Sequence, residues 1–240
     1  MLPLFPEMFD GFCSTSIIKR AIDKGLVSVE AIQIRDYSIK KHQQVDDTPF
    51  GGGSGMVMMA QPVLDALKDH QSHDAKVLLM GPRGRVFNQS MAKKWAQEEE
   101  LVFICGHYEG IDERIRSYID EEVSIGDYIL TGGELASMVI SDAIIRLLEG
   151  VIKMESHAYE SFEEDLLEHS HYTKPQVYED MAVPDVLLSG HHENIRKHRL
   201  KESLKITYLN RKDLLDKKQL NKEERKLLGE VIGEIENGKD

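Results

Sequence analysis

Apolar residues recur along this chain with two different periods. Short continuous runs at 77–80 (VLLM) and Leu101–Cys105 (LVFIC) have the length and make-up of strands buried on both faces. Residues 29–35 (VEAIQIR) alternate and predict a further strand. Segments 61–68 and 89–99 read as helices between the runs. That β-α-β rhythm predicts an α/β domain with a mainly parallel sheet. Ala136, Val139, Ile140, Ala143, Ile144, Leu147 and Leu148 then recur at spacings of three and four, which predicts a helix over 136–148.

Beyond that helix the pattern changes. Residues 154–168 are acidic and weakly periodic, as in a linker leading into a helix. The next stretch carries Pro175, Pro184 and Gly190 and predicts irregular chain. From Glu193 onward the pattern is helical again. Asn221 with Glu224 matches a capping box ahead of Leu227, Leu228, Val231, Ile232 and Ile235. The expected division is an α/β domain over 1–152, a linker over 153–161 and a small all-helical domain over 162–240.

Composition narrows the class. The 240 residues are 41% hydrophobic and 30% charged, which suits a globular domain with a core. No apolar run reaches the ~18 residues of a membrane span, so no membrane partner is expected. The opening MLPLFPEMFDGF has no basic segment and does not read as a signal peptide. Two cysteines, Cys13 and Cys105, make neither a disulfide framework nor a zinc site. A cytoplasmic protein is expected. The net charge of −12 speaks against a nucleic-acid partner. The charge is uneven, however. Residues 191–226 hold twelve Lys/Arg against six Asp/Glu, a surplus of six positives that leaves the remainder at −18. Such a segment suits RNA phosphates; solvated helix faces explain the same lysines.

The densest motif lies within 106–133. CGHYEGIDERI and SIGDYILTGGE each set an apolar run beside a glycine-bearing turn. MGPRG (80–84) closes another run in the same way. Three such turns at strand ends predict a ligand pocket outside the carboxyl edge of the sheet. FGGGSGM (50–56) lacks the ending of a P-loop and the context of a dinucleotide fingerprint. Its four glycines in five residues suit a lid, a close ligand approach or a loop of special turns. The histidine pairs at 169/171 and 191/192 have no metal-ligand spacing, so no metal site is expected. No nucleophile elbow is present.

Seven segments occur in order: LFPEMF, VDDTPFGGGSGM, GPRGR, CGHYEGIDER, SIGDYILTGGEL, HYTKP and SGHHENIRKHRL. Together they resemble the bacterial tRNA (guanine-N1)-methyltransferases across nearly the whole chain. The resemblance implies an enzyme of the SPOUT class that takes its methyl group from S-adenosylmethionine. It implies a trefoil knot in the later part of the sheet, against the usual rule that chains are unknotted. The substrate implied is the guanine at tRNA position 37, 3′ of the anticodon. A homodimer with its active site at the interface is implied too, as is a magnesium requirement, with Glu109 a candidate contributor.

Carried over by position, the cofactor pocket comprises Leu79, Met80, Gly81, Pro82, Gly106, Tyr108, Glu109, Ser124, Ile125, Gly126, Asp127, Tyr128, Ile129, Leu130, Gly132 and Gly133. Arg146 matches the arginine that stabilises guanine. Arg20, His42, Asp46, Ser54, Gly55 and Ser156 match positions around the guanine and RNA. Glu160 matches the general base, an aspartate in the family; glutamate keeps the acid on an arm one methylene longer. Ser54 stands where proline is usual, and the first strand is expected to be short. Two alternatives stay open: a ribose 2′-O-methyltransferase of the same knotted class, and a catalytically weakened tRNA-binding protein.

Overall fold

The computed structural model describes residues 1–152, 160–162 and 165–238. The chain forms two compact units, Met1–Lys153 and Met154–Asp240. The expected linker lies mostly outside the described residues, and Ser156 lies wholly outside them.

In the first unit the elements run α1 (Phe9–Cys13), α2 (Ser16–Asp23), β1 (Asp46–Asp47), β2 (Val57–Met58), α3 (Ala60–His70), β3 (Lys76–Val86), α4 (Gln89–Trp95), β4 (Leu101–Cys105), β5 (Glu121–Ser124) and α5 (Glu134–Ile145). The central sheet has the order β4-β3-β5, and both pairings are parallel. β1 and β2 form a separate antiparallel pair.

The apolar runs of β3 and β4 follow from a sheet covered on both faces. Side chains alternate between faces along a strand. Val77, Leu79, Val102 and Ile104 therefore join one core with Val63, Ala66 and Leu67 of α3. Leu78, Met80 and Phe103 join the other with Ala92 and Trp95 of α4 and Ala136, Ile140 and Ile144 of α5. A strand with no wet face has no reason to alternate, so its sequence reads as a block.

Several expectations need correction. Residues 29–35 do not form a strand. The Ile32 N–H donates to Met1 O at 2.9 Å and the Ile34 N–H to Pro3 O at 3.2 Å, after which 34–37 coil into a 3-10 turn. The extended residues thus lie against the N-terminal segment, whose Leu2 makes a single parallel bridge to Ile104 of β4. One bridge gives too little ladder to propagate as a strand. The second correction concerns MGPRG, which does not close β3. The strand pairs Met80 with Val123, bulges outward, and returns to pair Arg85 with the same Val123. The helix expected over 89–99 is also shorter, ending at Trp95, and the one expected over 136–148 runs from Glu134 to Ile145.

The second unit contains α6 (Asp185–Leu188), α7 (His192–Asn210), α8 (Lys212–Lys217) and α9 (Lys222–Glu236). The unit is not all-helical as expected: a small antiparallel hairpin, β6 (Val177–Tyr178) and β7 (Met181–Ala182), precedes these helices. α7 packs along α9, with Leu204 and Val231 both fully buried. The Asn221 capping box is present: the Glu224 N–H donates to Asn221 Oδ1 at 2.9 Å, and the Asn221 N–H to Glu224 Oε2 at 2.7 Å. Arg196 links the two helices, donating to Glu193 at 2.9 Å and to Glu223 at 2.6 Å. Its hydrogen bonds hold the Glu193 carboxyl down at about 2. Among the described residues no helix is long and apolar enough to cross a membrane.

Candidate active site

A cavity of about 670 Å³ opens at the carboxyl ends of β3, β4 and β5. Three chain segments build it: the β3 bulge at 81–84, the loop after β4 at 106–111, and the loop after β5 at 125–133. A crevice at this edge of a parallel sheet is where open α/β folds bind ligands. Its volume falls within the ~300–1,000 Å³ of small-molecule sites.

Each segment is held by its own local chemistry. In the β5 loop, the Gly126 N–H donates to Ser124 Oγ at 3.2 Å, and the Tyr128 hydroxyl donates to Ile125 O at 3.2 Å. In the β4 loop, Tyr108 takes φ +58°, an unusual left-handed backbone for a bulky residue. The Glu109 N–H donates to Met56 O at 3.0 Å, which docks that loop on the glycine-rich segment. Gly133 then brings the start of α5 against the strand ends. Its N–H donates to Gly106 O at 2.8 Å. A Cβ at Gly133 would sit 2.8 Å from Cys105 Cα and 3.0 Å from Met80 Cβ, so the backbones meet at a separation that admits only glycine.

Charge is organised along one wall. Arg83 donates to Glu113 at 2.9 Å, Arg116 reaches both Glu113 and Glu122, and Glu122 lies against Gly81. The Arg83 guanidinium holds the Glu113 carboxyl below its ordinary range. On the opposite side His107 contacts the buried carboxylate of Glu134 at 2.6 Å and packs edge-on to Phe5 and Tyr108. Beneath the floor, burial and then the Glu134 charge push the Cys105 thiol up to about 12, which makes it an inert core group.

The structure brings Leu79, Met80, Gly81, Pro82, Gly106, Tyr108, Glu109, Ser124, Ile125, Gly126, Tyr128, Ile129, Leu130, Gly132 and Gly133 to the cavity lining. Asp127 belongs to the same loop but is exposed and not part of the lining. Gly55 abuts Glu109: a Cβ there would collide with the Glu109 side chain. The glycine-rich loop therefore combines special turns, with φ of +80° to +128° at Gly51, Gly52 and Gly53, and a close approach at Gly55. Ser54 is exposed within it. Asp46 pairs with Met58, whose sulfur accepts the His107 N–H at 3.1 Å. Arg20 on α2 and His42, at φ +60°, are exposed and do not line the cavity. Arg146 caps the end of α5. Glu160 is a half-buried residue of the second unit.

Of the nine lining residues that sequence reasoning missed, five are polar: Arg83, His107, Arg116, Glu122 and Thr131. His107 and Thr131 lay inside motifs already singled out. Arg116 and Glu122 carried no local signal, because their pairing depends on how β5 lies beside β3.

Known proteins place the chain in a family. The profile of the family described as tRNA (Guanine-1)-methyltransferase TrmD matches residues 1–217. A tRNA (guanine-N(1)-)-methyltransferase of Clostridium botulinum (strain 657 / Type Ba4) is 55% identical over 230 residues, 95% of each chain. The protein of that name from Clostridium novyi (strain NT) is also 55% identical over 95% of each chain. Its namesake from Fusobacterium nucleatum subsp. nucleatum is 54% identical over 232 residues, 96% of each. With a family profile covering nine-tenths of its length and relatives this similar end to end, the chain belongs to the tRNA (guanine-1)-methyltransferase TrmD family.

Proposed function

We propose that this chain methylates N1 of the guanine at tRNA position 37, 3′ of the anticodon, with S-adenosylmethionine as donor. The observation that carries the reading is the cavity at the carboxyl ends of three parallel strands, in a chain of this family. Methyl transfer to guanine N1 of tRNA follows from family membership. The position in tRNA, the dimer and the residue roles are this proposal's own.

The lining suits such a donor. Leu79, Ile125 and Leu130 give apolar walls, and the glycine turns present backbone N–H and C=O groups for reading a base edge. When bound, the donor supplies an electrophilic methyl group on a sulfonium. The chain's own task is then to position guanine and remove its N1 proton, because N1 is not a nucleophile while protonated. Glu160 is the general base, accepting that proton on its carboxylate. Arg146 stabilises the negative charge that develops on O6 as the proton leaves. The rest is positioning, for which Tyr108, Gly55 and Ser54 are placed around the cavity mouth and its flanking loop. Two copies of the chain form the site, with Glu160 of one serving the cavity of the other. The return of 125–133 across the ends of β4 and β3 supports a trefoil knot. Magnesium has no comparable cradle: among the described residues no three acidic, histidine or cysteine side chains gather as ligands.

The test is direct. Unmodified tRNA is incubated with the protein and methyl-labelled donor, then digested to nucleosides. Label in N1-methylguanine is the expected result. Label in a 2′-O-methyl nucleoside, or none in tRNA that carries the target guanine, overturns the reading.

A further inference from the structure

Phe5 is a large ring left 39% exposed in a segment that is otherwise firmly anchored. Upstream, the Leu2 N–H donates to Phe103 O at 2.8 Å and the Cys105 N–H to Leu2 O at 3.1 Å, which clamps the chain to β4. Leu4 is 1% exposed, and its N–H donates to Glu134 Oε1 at 3.1 Å. Downstream, residues 6–8 coil into a 3-10 turn, with the Met8 N–H on Phe5 O at 3.1 Å. Burial does not account for a ring in that place. Its ring contact does: Phe5 meets His107 edge-on, at 5.3 Å between centroids.

His107 is where the two ligand loops meet. It belongs to the loop after β4 and lines the cavity. Its backbone bridges to Gly132 of the loop after β5, and a Cβ at Gly132 would collide with His107 Nε2 and Glu134 Oε2. The β5 loop therefore packs directly against the imidazole and its carboxylate. The same imidazole meets Tyr108 edge-on, at 6.2 Å between centroids. Tyr108 lines the cavity, 44% exposed, on a backbone with φ +58°. A bulky residue keeps such a backbone only where its surroundings over-determine it. Three rings in contact, Phe5, His107 and Tyr108, thus run from the N-terminal segment into the cavity. Phe5 itself is not part of the lining.

We infer that Phe5 is a positioning residue for the methyl donor: through His107 it holds Tyr108 and the Gly132 turn at the separation the donor requires. The role rests on the proposed function, which takes S-adenosylmethionine as the ligand of this cavity. It gives the LFPEMF segment a task, which the chemistry at guanine does not.

Donor binding is read by titration calorimetry, apart from turnover, for Phe5→Leu and Phe5→Tyr, and for Phe5→Leu combined with His107→Gln. Leucine keeps apolar bulk and loses the ring edge. Phe5→Leu should weaken donor binding by about 3- to 10-fold. It should raise KM for the donor more than it lowers kcat, and leave KM for tRNA and the urea midpoint near wild type. Phe5→Tyr restores the ring and should restore the affinity. His107→Gln keeps an N–H for Glu134 but has no ring, so in that background Phe5→Leu should cost nothing more. Wild-type donor affinity in Phe5→Leu, no recovery in Phe5→Tyr, or an undiminished effect of Phe5→Leu beside His107→Gln overturns the inference. A wild type that binds the donor yet makes no N1-methylguanine sinks the functional reading alone; one that binds no donor sinks both.

Discussion

Glu134 Oε2 lies 2.6 Å from His107 Nε2, while the other oxygen of the same carboxylate accepts the Leu4 N–H at 3.1 Å. Glu134 is only 1% exposed. One buried carboxylate therefore fastens three pieces: the N-terminal segment, the loop after β4 and the first turn of α5. Removing the side chain leaves the Leu4 N–H buried without an acceptor, at a cost of about 1–3 kcal/mol. Glu134→Ala should lower the urea midpoint accordingly and weaken donor binding. Glu134→Gln keeps an acceptor for Leu4 and should lose less on both counts. Equal midpoints for the two variants would remove Leu4 from the account.

Gly133→Ala tests the close crossing of backbones. The new methyl would meet backbone atoms of Cys105 and Gly106, neither of which can swing away as a side chain end can. Overpacking of this sort costs about 1–3 kcal/mol. Donor affinity should drop by about tenfold or more in a titration calorimeter. Undiminished affinity would mean that the crossing yields more readily than its geometry implies.

Glu160→Gln separates chemistry from binding. The amide cannot take the N1 proton, so methyl transfer in single turnover should fall by about 100-fold or more. Donor affinity should match the wild type. Glu160→Asp restores the acid on a shorter arm and should recover part of the rate. Full turnover in Glu160→Gln would show that another group is the base.

Cys105 makes the fold sensitive to alkali. In the unfolded chain its thiol ionises near its ordinary value of 9, while in the fold it resists to about 12. With the folded-state pKa above the unfolded one, the contribution is fully present below the unfolded value and is lost as pH climbs toward the folded value. Unfolding free energy should therefore decline between about pH 9 and pH 12, with a shallower decline in Cys105→Ala. Iodoacetamide at pH 8 should leave Cys105 unmodified in the native protein and label it in urea. Native labelling of Cys105 would contradict its burial.

Much of the α/β unit could be read from sequence, and the reasons are physical. β4 was legible to the residue because both its faces are buried, which writes a solid apolar block. α5 and the Asn221 capping box were legible because helix signals are local. β5 was not, since Glu121 and Glu122 give it the look of surface chain. Residues 29–35 misled because alternation is equally natural in an extended segment that finds only a short partner. The cavity was expected from its glycine turns, whereas the fifteen of its lining residues named in advance came only with the family resemblance. The salt-linked wall from Arg83 to Glu122 was not, because it is assembled by sheet register, which no window of sequence contains. A cavity of the second unit escaped notice for a related reason: its lining joins residues within 169–176 to Arg199, and Lys174 and Arg199 are 25 positions apart.

The double use of Val123 has a consequence for how this protein tolerates insertions and deletions. Met80 and Arg85 both oppose that one residue, so the excursion at 81–84 leaves the sheet and re-enters it at the same rung. A residue gained or lost at the tip of the excursion, around Pro82 and Arg83, leaves the ladder on either side in register, whereas Gly84 is packed against the backbone of Glu122 and Val123. A residue gained or lost in β5 shifts both rungs at once and turns every later side chain to the wrong face. Length variation should therefore accumulate in the bulge, where it reshapes the ligand's wall, and be refused in the strand beside it.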